Sequence, residues 1–138
     1  MPNIIDGKAI SAKTKEELTQ MIKDEISKNK NKCSLNHIDV SKITDMSSLF
    51  YGYNFNVDIS DWDVSNVTDM RYMFAGCESF NQPLDKWNVS NVIYMNHKFN
   101  ECEKFNQDIS NWNVSNVADN YYMLEDCPIE EKYKPKFK

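Results

Sequence analysis

The chain has 138 residues and a formal net charge of −5, with 41% hydrophobic and 12% aromatic residues. That is one domain's worth of chain, and its balance excludes both a disordered polyampholyte and a basic nucleic-acid binder. No apolar run approaches the roughly 18 residues a membrane helix needs, and Met1 to Thr14 lacks the apolar stretch and cleavage site of a signal peptide. The expectation is a chain that inserts in no membrane and stays on the side where it is made. Glycine occurs only three times against 17 asparagines, so side chains are expected to satisfy backbone groups at many turns.

Residues 1–36 open the chain. Thr14-Lys-Glu-Glu17 is a capping-box pattern, with Leu18, Met21, Ile22 and Ile26 after it at the spacing of one helix face. The predicted amphipathic helix ends at Asn29 to Lys32 and covers the open end of the neighbouring segment, residues 37–127. A partner-binding helix is the sharper alternative, but capping requires no further molecule.

Residues 37–127 are a repeat. Trp62, Trp87 and Trp112 are 25 residues apart, opening segments that read WDVSNVTDMRYMFAGCESFNQPLDK, WNVSNVIYMNHKFNECEKFNQDISN and WNVSNVADNYYMLEDC. An earlier unit from Ile38 matches with one residue fewer. Apolar residues recur in columns, among them Val40/Val64/Val89/Val114, Phe50/Phe74/Phe99/Leu124 and Phe55/Phe80/Phe105. One unit cannot bury such side chains, whereas stacked units bury each column against itself. The alternating stretch around each Trp predicts one short parallel strand per coil, and the three-and-four spacing of T-D-M-x-x-M-F predicts a short helix or 3-10 turn opposite it. Lys98 departs from the pattern by standing where Met73 and Met123 stand. Asn66, Asn91 and Asn116 form one ladder, expected to bond the backbone of the neighbouring coil at a corner. Residues 128–138 leave the repeat, and Ile129, Tyr133 and Phe137 predict an irregular lid on the last coil.

The units WDVSNVTDM and MFAGCESFNQPLDKW resemble the BspA-like leucine-rich-repeat surface proteins of bacteria, in the 25-residue form abundant in mycoplasmas. The resemblance implies a surface or secreted adhesion or interaction protein without catalysis. It completes the expected fold class: an α/β repeat, a short leucine-rich-repeat-like solenoid with one strand and one helical turn per coil, capped by the N-terminal helix.

Chemistry is sparse. Cys77, Cys102 and Cys127 share a column with the same 25-residue spacing; an odd column cannot pair completely, so these thiols are expected to be free, small apolar residues. Zinc is disfavoured because no C-x-x-C pair exists and His37 and His97 lie far apart. Stacked acids could bind calcium, but half of each acidic column is not acidic. With no nucleophile beside a base and no phosphate loop, neither catalysis nor a cofactor is expected. The remaining candidate is surface. Asp61, Lys86 and Asn111 on one side of the Trp column and Asp39, Asp63, Asn88 and Asn113 on the other form the expected binding face on the outward strand ladder, for a protein or peptide partner of a monomer. An aromatic patch of Tyr72, His97 and Tyr122, with Tyr94 and Tyr121, is the alternative face. End-to-end assembly of coils and metal binding are the other function classes. Residues 37–127 carry 14 acidic and five basic groups, which argues against a phosphate backbone as ligand.

Overall fold

A computed structural model describes residues 4–5, 8–29 and 34–137. Two two-residue strands, β1 (Ile4–Ile5) and β2 (Lys8–Ala9), pair antiparallel before the helix. Helix α1 spans Lys15–Asn29. Its start is fixed reciprocally: Glu17 N–H donates to Thr14 Oγ1 at 3.1 Å, and Lys13 N–H donates to Glu17 Oε2 at 2.9 Å. Those two bonds satisfy amides that a helix start otherwise leaves without partners. Leu18 and Ile22 are fully buried in the core shared with the repeat, with Met21 and Ile26 partly buried beside them. Lys15 Nζ bonds Ser47 Oγ at 2.9 Å and lies 3.7 Å from Asp45, which seats the start of α1 on the first repeat unit. The expected helix end at Lys30 to Lys32, and Cys33 after it, lie outside the described residues. Among the described residues no helix is long and apolar enough to cross a membrane.

The repeat does not form the expected solenoid of strands. Among the described residues, positions 37–127 contain no strand and no helix; the units are joined by single parallel bridges such as Asp45 to Asp69, Asp69 to Tyr94 and Tyr94 to Asp119. The strand predicted around each Trp is interrupted by tight turns: Trp62 N–H bonds Ile59 O and Val67 N–H bonds Val64 O, with the same pairs around Trp87 and Trp112. Side chains drive this, because the Asp or Asn after each Trp accepts from the amide two residues on and competes with an extended ladder. The helical turn predicted over T-D-M-x-x-M-F fails for a different reason. There the amides of Met70, Tyr72, Phe74 and Gly76 donate to carbonyls of the next unit instead of back along their own chain. Tyr72 and Gly76 sit at φ of 58° and 71°, left-handed backbone that no right-handed helix contains. The leucine-rich-repeat-like architecture, with its parallel sheet and short helices, is therefore replaced by a stack of turns.

That stack is held in two ways. Four alternate amides per unit bond the next unit, from Met46 onward into the second, from Met70 into the third and from Met95 into the fourth. Inside, Phe50, Phe74 and Phe99 stack nearly parallel at 5.5 and 5.3 Å, with interplanar angles of 4° and 5°. Phe80 and Phe105 continue the layer at 4.3 and 4.2 Å from their partners. Burying a large apolar side chain contributes about 1.5–3 kcal/mol, so these rings are the main cohesive element between units. The tail contains a 3-10 turn at Glu131–Tyr133, and Ile109 N–H bonds Tyr133 O at 3.0 Å.

Candidate functional site

The columns singled out from the sequence fall into a buried set and a turn set. Trp62, Trp87 and Trp112 are buried, and each Nε1–H donates to a carbonyl 27 or 28 residues earlier, at 2.8 Å to Leu35, 3.1 Å to Ile59 and 2.9 Å to Leu84. Asn66, Asn91 and Asn116 each donate from Nδ2 to a serine carbonyl one unit back, at 2.7 Å in all three cases. The thiols of Cys77 and Cys102 lie 2.9 Å from the carbonyls of Phe50 and Phe74, while Cys127, half-buried, reaches Phe105 O at 3.5 Å. All three cysteines are free. Burial pushes the Cys77 thiol up to about 12 and raises Cys102 and Cys127 in the same direction. Nucleophilic chemistry needs the thiolate. Iodoacetamide on the folded chain at pH 8 is therefore expected to label Cys127 about tenfold faster than Cys77 or Cys102, read by peptide mass spectrometry; equal labelling of Cys77 would contradict its burial.

The predicted binding face is a row of turns. Asp39, Asp63, Asn88 and Asn113 each accept the amide of the serine two residues on, at 2.9–3.1 Å. At Asp39 the Ser41 amide, then its hydroxyl, holds the carboxyl below its ordinary value. In the second row, Asp61 N–H donates to Asn36 Oδ1, Asn111 Nδ2 donates to Asp85 O, and Lys86 is exposed. The first row, with Asn111, is thus engaged by the chain's own backbone, and no strand ladder carries either row. Among the described residues no three His, Cys, Asp or Glu side chains converge to hold a metal ion.

The aromatic patch has the more distinctive geometry. Tyr72 and His97 stack face to face at 4.5 Å and 8°, His97 meets Tyr122 edge-on at 5.4 Å, and Tyr121 lies 4.2 Å from Tyr122. Tyr51 extends the row at 6.2 Å from Tyr72, and the Arg71 guanidinium lies 5.2 Å over the Tyr94 ring. Tyr51, Tyr121 and Tyr122 remain 58%, 62% and 48% exposed. Hydrogen bonding with Tyr121, with Glu125 nearby, makes the Tyr122 hydroxyl harder to ionise.

The backbone under this row is unusual. Ser48, Tyr72, His97 and Tyr122 share one column and all have φ between 54° and 58°. Left-handed backbone costs a residue with a side chain about 1–2 kcal/mol, and glycine or asparagine avoids most of it. His97 Nδ1 and Asn96 Oδ1 are also buried without a hydrogen-bond partner among the described residues. A second left-handed column runs Gly52, Gly76, Glu101, Asp126, of which only the first two are glycine. Apolar periodicity could not reveal these columns; the 24-residue spacing of Gly52 and Gly76 was the available signal.

Lys98 is the other feature that spacing alone left unexplained. It is fully buried in the Met column, with Nζ at 3.1 Å from Met70 Sδ and 3.4 Å from Met73 Sδ. The rings of Phe74, Trp87, Phe99 and Trp112 surround it at 4.8–5.7 Å. No carboxylate pairs with it among the described residues. Burial drives its pKa well below the ordinary lysine value, opposed by the nearby Cys102.

No curated protein and no solved structure matches the chain. One family model does, over residues 16–135, a span that takes in all of α1 but its first residue, every repeat unit and most of the tail. The chain thus belongs to the family described as Mycoplasma protein of unknown function, DUF285.

Proposed function

We propose that this chain is a non-catalytic interaction module that binds a protein or peptide partner through the aromatic row Tyr51, Tyr72, His97, Tyr121 and Tyr122. The observation that carries the reading is the left-handed column. Three ring-bearing residues are kept at positions where asparagine or glycine would relieve strain, and their rings are partly or largely exposed instead of packed in the core. Backbone strain that packing does not require is a mark of function, and Tyr and Arg are enriched at interfaces. The turn-forming Asp and Asn row offers less, because each of its residues already gives one oxygen to a serine amide of its own turn.

The test pairs two sets of variants against the partner captured from the native cell by proximity labelling. Tyr72→Asn with Tyr122→Asn is expected to weaken binding at least about tenfold, as loss of two interface anchors does, with the melting temperature held or raised. Charge reversal at Asp61, Asp63 and Lys86 is expected to leave binding intact. The opposite pattern, binding lost on charge reversal and kept by the Tyr pair, overturns the reading.

A further inference from the structure

In every unit but the last, four alternate amides donate to carbonyls of the next unit. The fourth unit carries the same four groups, on Asn120, Tyr122, Leu124 and Asp126, and none of them has an acceptor among the described residues. The tail leaves this side open. Lys134, Pro135 and Phe137 stand across from the row and enclose with it a groove of about 340 Å³. A row of unpaired amides at the end of a stack is a template for one more added segment.

We propose that this edge takes up a basic segment of a partner polypeptide, folded as the repeat units fold, which supplies carbonyls at alternate residues to these four amides. Two copies of the chain cannot pair through it, because the edge presents only donors and would set N–H against N–H. The matching carbonyls of a second copy are those of Asp45, Ser47, Leu49 and Tyr51 in its first unit, where α1 is already seated through Lys15. A separate polypeptide is therefore the fitting occupant. Its charge is set by the row: Asp119, Glu125 and Asp126 are exposed along it, with Glu125 lining the groove, while Lys134 and Lys136 stand on the tail side. Lys or Arg side chains offset that charge, whereas acidic ones meet repulsion. Leu124, half-buried, and Phe137 give an apolar residue of the segment a place to lie.

This edge differs from the aromatic row, with which it shares the residue Tyr122. The probe is a synthetic peptide with the sequence of residues 68–78, Lys in place of Asp69 and Glu78 and Ser in place of Cys77, added to the full chain. Amide exchange at Asn120, Tyr122, Leu124 and Asp126 is expected to slow by about tenfold or more, with the effect fading as salt rises. The same peptide with Glu at both substituted acidic positions is expected to give no protection of the wild-type chain. Glu125→Lys with Asp126→Lys should invert that preference, and Tyr72→Asn should leave it unchanged. Absence of protection by the Lys peptide, equal protection by both peptides, or ring shifts along Tyr72 and His97 without protection of the four amides each overturns the proposal. A loss of protection in Tyr72→Asn would move the peptide to the aromatic row and overturn it likewise.

Discussion

Lys98→Met is expected to stabilise the chain by about 2–4 kcal/mol at pH 7, the scale on which a buried charged group exceeds an apolar one of similar volume. Two effects oppose each other at this site. Four ring faces within 5.7 Å favour the ammonium, at about 0.5–2 kcal/mol for such contacts. Against them stands the removal of a cation from water, several kcal/mol after relaxation. Among the described residues its N–H donors find two sulfur atoms and no oxygen acceptor, so desolvation outweighs the ring contacts and disfavours the ammonium. Methionine at the same place in the second and fourth units, Met73 and Met123, is buried at no such cost.

The pH dependence has a definite sign. The folded-state pKa of Lys98 lies below that of the unfolded chain, so between the two values unfolding takes up a proton. Stability therefore rises with pH through that window, by up to about 1.4 kcal/mol per unit, until the unfolded lysine titrates near 10.4. The advantage of Lys98→Met is largest in acid and shrinks toward pH 10. Cys102 is the titratable neighbour, and its thiol, raised by burial, stays uncharged through most of that window. Urea unfolding of both chains from pH 6 to pH 10 measures the difference. A constant difference across that range, or a less stable Met variant, would mean that the aromatic cage holds the cation after all.

The inward half of the fold was legible because burial imposes a period. Trp62, Trp87 and Trp112 are all at most 5% exposed, and the phenylalanine columns stack as their 24- and 25-residue spacings require. Secondary structure was not legible from the same letters. Val64 and Val67 carry strand propensity, yet Asp63 turns the chain between them by accepting the Ser65 amide. Side-chain acceptors at that spacing override the preference of their neighbours. Met70, Met73 and Phe74 have helical spacing, but Tyr72 between them is left-handed, and no apolar pattern encodes the sign of φ. The turns at the candidate face were hidden for the same reason: position alone makes Asp39, Asp63, Asn88 and Asn113 outward residues, and spacing does not show that one oxygen of each is a turn acceptor. The departure of Lys98 is visible in the alignment of units. Its burial is not, since lysine is almost never fully buried unpaired.

Phe74→Ala is expected to cost about 3–5 kcal/mol, the usual penalty for emptying a buried aromatic site. Its ring is fully buried and stacks with Phe50 in the unit before, Phe80 in its own unit and Phe99 in the unit after. The collapse that would lessen the penalty is hindered, because backbone bonds from Phe74 N–H to Lys98 O and from Phe50 N–H to Met73 O fix the spacing of the units on both sides. For a chain of this size the loss corresponds to a melting temperature lower by about 10–15 °C. Stability in stacked repeats is carried by nearest-neighbour interfaces, so a defect at the centre also weakens the coupling between the two ends, and the transition should broaden. Leu124→Ala, in the last unit and only partly buried, should cost no more than about 1–2 kcal/mol and leave the transition sharp. Thermal unfolding followed by far-ultraviolet dichroism separates the two cases, and equal losses would contradict a stack held by its centre. Because the Phe74 ring also lies 4.8 Å from Lys98 Nζ, the double variant Phe74→Ala with Lys98→Met should depart from the sum of the single changes, as residues in contact do.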